Sequence, residues 1–424
     1  MYITEPQIQT EIKGEYDVIV CGSGPSGIAA AYNAGIRGAS VLLIESQGSL
    51  GGISTSGMMS HFTGHCESKT YLDILRRMEK NNQFPCDWKQ SIDTEILKLI
   101  YIDMMEEAHV TLLCYSFICG VIRENNTVKG VFVENKTGRS AYLGKAIIDA
   151  TGDGDAAAKA GADYFLGRED DHLMQPATLM FKVGGVDYDR AVFPGSFETL
   201  VETPKGELQS LAKKLLPPPA GHVLLYKNPI RGVVTCNMTN ITGIDGTKAE
   251  DMTKAEMLCR KQMKPIVAFL REYVPGYENC YILTAASLIG IRETRHFYTD
   301  TTLTESDILE AKQFDDAVVF GAHFNFDVHN LTGASLDKTG CQHKFPQQKG
   351  YTIPYGCLIP RKTDGLLLSG RCIGGTHMAH SNFRAMPICV GIGEACGIAA
   401  FLAAKKNVTL REVQAKEIQK ELEK

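Results

Sequence analysis

Gly22-Ser23-Gly24-Pro25-Ser26-Gly27 spaces three glycines as G-x-G-x-x-G, and Glu45 stands 18 residues beyond the last of them. Each glycine in that spacing has its own task. The first permits a tight turn, the second lets main chain approach a diphosphate at a helix N-terminus, and the third lets that helix pack closely on its strand. An acid at the end of the next strand would bind the hydroxyls of an adenosine ribose and repel a 2′-phosphate. The ligand class is therefore a dinucleotide without that phosphate, NAD or FAD.

Further glycine turns decide between the two. Leu50-Gly51-Gly52-Ile53-Ser54-Thr55-Ser56-Gly57 offers a second close-approach pair and a row of hydroxyls, where an NAD domain normally continues as plain helix. Asp149-Ala150-Thr151-Gly152-Asp153-Gly154-Asp155 and Leu368-Ser369-Gly370-Arg371 each put a glycine turn after an apolar run, which is where open α/β sheets bind ligands. One extended dinucleotide touching residues near 22, 52, 152 and 370 is what a flavoenzyme needs, so the pattern points to FAD.

The elements that must position these turns are readable from composition and period. Tyr16 to Cys21 and Ala39 to Ile44 are short buried strands flanking a helix from Gly24 to Arg37, which makes one βαβ unit. Helices are predicted over Ser68 to Lys80 and Ser91 to Ala108, with Pro85 between them. Val110 to Asp149 alternates and turns at Glu124-Asn125-Asn126 and Thr137-Gly138, a three-stranded β-meander leading into a buried strand at Lys145 to Ala150. Leu166 to Lys344 is mixed, with strands near Ala177 to Val183 and His222 to Tyr226 and a helix from Lys254 to Tyr273. A strand at Gly365 to Ser369, a helix from Pro387 to Lys405 and a charged helix from Thr409 complete the chain. The expected fold class is α/β: a Rossmann-like domain with a central parallel sheet, formed by residues 1–165 and 346–424, with an inserted α+β substrate domain over 166–345.

The chain is 424 residues long, too long for one small binding module. Hydrophobic residues make up 44% and charged residues 22%, so it folds around a core rather than staying disordered. Lys and Arg number 44 against 49 for Asp and Glu, and a net charge of −5 gives no field for gripping nucleic acid. Thirteen cysteines without a C-x-x-C pair read as reduced thiols of a cytoplasmic protein. The first twenty residues lack the basic and apolar stretches of a signal peptide. Met386 to Ala404 is the most apolar region, but Glu394 interrupts it, so no membrane partner is expected.

The quoted motifs resemble the FAD-dependent oxidoreductases of the glutathione-reductase-like superfamily with two dinucleotide-binding motifs. More narrowly, the chain is similar to bacterial flavoproteins grouped with the heterodisulfide reductase A flavoprotein. The narrower likeness rests on ENNTVKGVFVENKTGR leading to IIDATGDGD, on GIRETRHF with LTESDILEAKQFDDAVVFG, and on YTIPYGCLIP with LLLSGRCIGGTHMAHSNFRAMPICVGIGEACGIAA. The resemblance implies that Gly22, Ser23, Gly24, Pro25, Ser26, Glu45, Gly51, Gly52, Ser54, Thr55, Thr151, Gly152, Gly370 and Arg371 contact FAD. It also implies that the strand around Ile118 lies beside the adenine and that Met386 and Pro387 face the flavin. Departures are informative. Iron–sulfur clusters need four cysteines in short spacings, and only Cys114-x4-Cys119 and Cys389-x6-Cys396 approach that. No dithiol follows Gly52, and Gly391-x-Gly393-x-x-x-Gly397 lies inside a helical pattern, so no second dinucleotide domain is expected. Arg371 stands where many relatives carry Asp, which leaves the ribityl contact to main chain.

Flavin chemistry on a substrate needs an acid or base within hydrogen-bond reach. His377, His380 and Arg384 lie between two flavin-contacting segments of that resemblance and are the candidate catalytic residues, with Arg384 orienting substrate or stabilising negative charge. His61 and His65 could face the ring's other edge. Arg292, Glu293, Arg295 and His296 crowd together in GIRETRHF; an ion pair within the cluster is expected, and carboxylate recognition by an arginine is the rival account. His323 and His329 form only a partial metal set, and no metal centre is expected. The expected activity is flavin-mediated hydride transfer on a small polar molecule. The alternative is an electron-transfer subunit with a protein redox partner.

Overall fold

Val18 to Cys21 are four consecutive apolar residues with no exposed surface, the composition of a strand covered on both faces. A computed structural model of the chain describes residues 3–4, 7–81, 90–343 and 345–424. Pro85 and Lys344, which mark a helix break and a region boundary in the sequence reading, lie outside them. The buried run ends strand β1 (Ile12–Cys21), followed by helix α1 (Pro25–Gly35) and strand β2 (Val41–Ile44). Helices α2 (Lys69–Asn81) and α3 (Thr94–Glu107) lead to β3 (Thr111–Leu113) and the meander β4 (Ser116–Glu124), β5 (Thr127–Asn135) and β6 (Gly138–Asp149). The sheet order is β3-β2-β1-β6-β5-β4. β1 runs parallel to both β2 and β6, with Cys21 opposite Ile44 and Asp149, so three strands end level at one edge.

Helix α4 (Asp155–Lys159) and β7 (Tyr164–Leu166) follow, and the chain then enters a second core. Its elements are β8 (Phe181–Gly184), a small hairpin of β9 (Glu202–Thr203) and β10 (Gly206–Glu207), α5 (Leu208–Leu215), β11 (Leu225–Lys227), β12 (Val234–Cys236), α6 (Ala249–Tyr273) and β13 (Tyr281–Ala285). Four of the strands form an antiparallel sheet in the order β11-β12-β8-β13. Ala255, Cys259, Met263, Ile266 and Leu270 give α6 one buried stripe at helical spacing. Glu250 and Asp251 favour the first turn of α6 through the helix dipole, and the helix begins five residues before the sequence pattern places it. The apolar residues of this core run from Ala177 to Ile289.

Beyond it the chain returns to the first core. β14 (Arg295–Phe297) pairs with β7, α7 (Glu305–Leu309) opens with a Thr304–Asp307 capping box, and β15 (Ala317–Ala322) pairs with β16 (Tyr351–Pro354). Phe297, Ile308, Val319 and Phe345 all join the first core. β17 (Leu366–Leu368) then lies parallel to β6, with Leu368 opposite Asp149, and takes the edge that β5 leaves. Helices α8 (His377–Phe383), α9 (Met386–Lys406) and α10 (Ala415–Glu423) complete the fold.

Helix α9 is long and apolar enough to cross a membrane, yet its apolar window is buried inside the protein. Its glycines explain how. A Cβ at Gly393 would lie 2.0 Å from the Ser26 carbonyl oxygen, and one at Gly397 would lie 2.2 Å from that of Ala30. The glycine series inside the helix is therefore a main-chain contact face for α1, and Glu394 accepts the Thr70 hydroxyl at 3.0 Å. Gly397→Ala should destabilise the protein by about 1–3 kcal/mol despite the better helix propensity of alanine. A denaturant midpoint equal to that of the parent chain would contradict this packing.

Candidate active site

The first glycine turn is closed against the end of β6. Gly22 has φ +95°, and a Cβ there would lie 2.5 Å from the Ala150 carbonyl oxygen; a Cβ at Gly27 would lie 1.9 Å from that of Gly22. Gly24 differs. Its φ of −60° suits any residue, a Cβ there would meet nothing within 4 Å, and it starts α1 with no side-chain cap, so the first N–H groups of the helix border open space. The other turns gather around it. A Cβ at Gly52 would lie 3.2 Å from the Gly24 Cα, and the Gly51 N–H donates to the Ser23 carbonyl at 2.8 Å. Gly370 packs on Ser26, whose hydroxyl bonds that of Ser369, and Gly152 lies against the Arg371 guanidinium. The four segments near 22, 52, 152 and 370 thus meet at the carboxyl ends of β1, β6 and β17.

Glu45 reaches back to the first turn: its carboxylate accepts the Ser23 N–H at 2.8 Å, the Ser23 hydroxyl at 2.6 Å and the Gln47 N–H at 2.8 Å. The Glu45 carbonyl accepts the Ser116 N–H at the start of β4, the strand that carries Ile118. The hydroxyls of Ser54 and Thr55 turn inward to the Gly51 and Leu50 carbonyls, so that loop offers main chain. The Thr151 hydroxyl donates to Asp149 at 2.7 Å and accepts the Asp155 N–H at 2.8 Å. Burial pushes Asp149 up to about 6 against those hydrogen bonds. Arg371 is held by Asp153 at 2.8 Å. Met386 and Pro387 form the first turn of α9, which also lacks a side-chain cap.

A second group lies around a buried carboxylate. Glu293 accepts the His377 Nδ1 proton at 2.6 Å and the His296 Nε2 proton at 2.9 Å through one oxygen, and the Gln175 N–H at 3.0 Å through the other. Burial pushes the carboxyl up, but the two imidazoles outweigh it and hold Glu293 well below the ordinary range. Donation from Nδ1 leaves His377 Nε2 as the acceptor, and that atom is buried without a partner. His380 also has a partnerless Nδ1 and meets His296 edge-on at 5.0 Å; burial depresses it far below its usual value, so it is neutral. Ligand atoms of Glu293, His296 and His380 lie within 4.8 Å of one another. The Glu293 oxygens accept from three donors, the two imidazoles and the Gln175 N–H.

The sequence reading expects Glu293 to pair with a neighbouring arginine, and the structure corrects it. Arg295 pairs with Asp155 at 2.8 Å. Arg384 donates to the Asp327 carbonyl at 2.7 Å and carboxylate at 3.0 Å, and its Nε has no partner. His61 packs edge-on against Tyr226 at 4.5 Å, and burial lowers it to about 3. His65 pairs through main chain with His323, whose ring bonds the Gln347 carbonyl, while His329 faces Asp327 at 3.5 Å. Glu293 and Asp327 are the functional candidates that sequence reasoning missed. They come together with α8 only in three dimensions, and no local spacing announces them.

Glycine turns gathered at the carboxyl edge of a parallel sheet, around the uncapped start of α1, are the arrangement of a dinucleotide-binding domain. The chain belongs to the family described as FAD dependent oxidoreductase, whose profile matches residues 17–422, and FAD is its cofactor. It is 27% identical over 164 residues to a thioredoxin reductase of Plasmodium falciparum (isolate FCH-5), a match covering 32% of this chain and 28% of that protein. It is 26% identical over 199 residues to digeranylgeranylglycerophospholipid reductase 1 of Methanococcoides burtonii, covering 42% of this chain and 47% of that one. The matches thus span less than half the length of either relative. In structure the chain is similar to p-nitrophenol 4-monooxygenase PnpA from Pseudomonas putida DLL-E4, with a TM-score of 0.50 and 11% identity over 97% of this chain and 84% of that one. That likeness is one of fold.

Gly24 offers a clean separation of folding from cofactor binding. Gly24→Val should leave the melting temperature of the FAD-free protein unchanged, since its side chain enters open space, yet abolish FAD retention through purification. Full retention of bound, yellow cofactor would show that the diphosphate lies elsewhere.

Proposed function

We propose that this protein transfers hydride between FAD and a small polar substrate, with His377 as the acid and base. The observation that carries the reading is the buried Glu293–His377 pair with its partnerless Nε2. The cradle fits the cofactor: Gly24 and the uncapped start of α1 for the diphosphate, Glu45 for the adenosine ribose, and the main chain of the Gly51 to Thr55, Thr151 to Gly152 and Gly370 to Arg371 turns along the rest. FAD, when bound, supplies the two-electron acceptor or donor. The chain supplies the proton chemistry. Glu293 fixes the tautomer of His377, so that Nε2 takes a proton from the substrate group being oxidised and returns it in the reverse direction. His380 is neutral, lies one turn along α8 and meets His296 edge-on. Arg384, anchored on Asp327, keeps its Nε for the substrate side. The narrower kinship with flavoproteins grouped with heterodisulfide reductase A is part of the proposal and rests on the carboxyl-terminal run.

The test is anaerobic single-turnover reduction of the bound flavin by a panel of alcohols, sugars and hydroxy acids, and reoxidation by enoates. His377→Ala should slow the responding reaction by about 10²–10⁴-fold with FAD content unchanged. Glu293→Gln should lower kcat while KM is kept, because it disturbs the orientation of the base and not substrate contact. Unchanged flavin kinetics in His377→Ala would overturn the assignment.

A further inference from the structure

Arg292, at the junction between the two cores, is a buried arginine without an ion pair among the described residues. Arg292 is 8% exposed, and its Nη1 donates to the Pro176 carbonyl at 2.6 Å and to the Thr178 hydroxyl at 2.9 Å. Its Nη2 has only Asn237 Oδ1, at 3.5 Å. All three acceptors are neutral. Among the described residues no carboxylate forms an ion pair with Arg292, whereas Arg295, Arg371 and Arg384 each have one. Burial and the like charge of Arg384 push Arg292 down to about 10, which still leaves it a cation at neutral pH.

The groups around it do not restore neutrality. Asp327 is a carboxylate that faces Arg292, and it is the partner of Arg384. Burial lowers His222 to about 3 and His329 to about 4, so both rings are neutral. His222 Nε2 contacts the Asn237 carbonyl at 3.1 Å, while its Nδ1 is buried with no partner. Arg292 is therefore a buried cation without an ion-pair partner among the described residues, where desolvation is costly. Asn237 Nδ2 donates to the Tyr226 hydroxyl at 3.3 Å, and Tyr226 lines a cavity of about 260 Å³ with His61, Phe193, Leu225 and Lys227.

We infer that Arg292 binds the carboxylate of a small organic acid, the substrate class of the redox reaction proposed above, on which this inference rests. A carboxylate supplies the missing negative charge, and the planar guanidinium presents paired donors to it. His222 offers an uncharged contact beside it.

The experiment is calorimetric titration of the FAD-loaded, oxidised protein, which needs no turnover. Acetate, lactate, succinate and benzoate are compared with acetamide, lactamide, succinamide and benzamide. At least one acid should bind at least tenfold more tightly than its amide, and Arg292→Met should remove that preference without lowering the melting temperature, because it deletes a buried unpaired charge. If Arg292→Met does not fold, Arg292→Lys should keep the charge but lose the paired donors and weaken the acid at least fivefold. Equal binding of every acid and its amide, or a preference that survives loss of Arg292, overturns the inference. So does an Arg292→Met protein with unchanged acid binding and a lowered flavin potential, since the guanidinium would then serve the reduced cofactor. Acids that bind through Arg292 while none reduces or reoxidises the flavin would uphold this site and refute the redox reading.

Discussion

Main-chain contact along helix α1 is the constraint on which the rest of this molecule depends. One side of the helix meets the turn it grows from, where Gly27 has no room for a side chain, and another meets α9, where Gly393 and Gly397 have none. Close approach of this kind replaces side-chain packing with direct contact between helix and main chain, and it leaves little freedom in how α9 is placed. Residues 25–35 and 386–406 are thereby locked together although almost the whole chain separates them. The same lock sets Gly370 on Ser26 and the end of β17 beside the ends of β1 and β6. Four turns that are remote in sequence become one edge because two helices cannot drift apart.

What the lock fixes on one side, the charges fix on the other. Segments 292–297 and 323–329 reach α8 and its C-cap through polar contacts of Glu293 and Asp327. Asp153 holds Arg371, Asp327 holds Arg384, and Glu293 holds two imidazoles. Buried ion pairs of this sort add little net stability, because desolvation offsets much of the attraction. Their effect is directional. Two of the side chains fixed in this way, His377 and Arg384, keep a buried polar atom without a protein partner.

The βαβ start was legible because its determinants are local: three glycines, two buried strands and an acid fall within 45 residues, and each has a single physical use. The first two helices and the strands around them were placed within a few residues for the same reason, whereas the tail helix starts at Ala415 rather than Thr409 and the short elements α5, α7, α8 and β13 to β16 carried no local signal. Glu293 was not legible. It is adjacent to Arg292 in sequence, which suggested an ion pair, but consecutive side chains in extended chain point to opposite sides. Arg292 therefore turns toward Thr178 and Asn237 while Glu293 turns toward His296 and His377, a partner 84 residues away. The hydroxyls of Ser54 and Thr55 show the same gap. Composition announced them beside a ligand turn, but only the left-handed turn at Gly51 and Gly52 reveals that they point back into the loop.

The distribution of unmet hydrogen bonds says more about the site than any one pair. His377 Nε2, His380 Nδ1 and Arg384 Nε are all buried without partners, and they fall on α8 and its C-cap, just before the start of α9. A buried donor or acceptor left unsatisfied costs on the order of 1–3 kcal/mol. Three within eight residues is a concentrated penalty, in a segment whose main chain is otherwise well bonded, with Thr376 capping the helix and Glu169 accepting the His377 N–H. A fold under no functional demand could relieve the penalty with apolar residues of similar size at these positions. Polar groups kept at that cost recover it when a polar molecule meets them. The location of the penalty, on the helix that carries His377 and on its C-cap, is therefore a physical argument for the site proposed above.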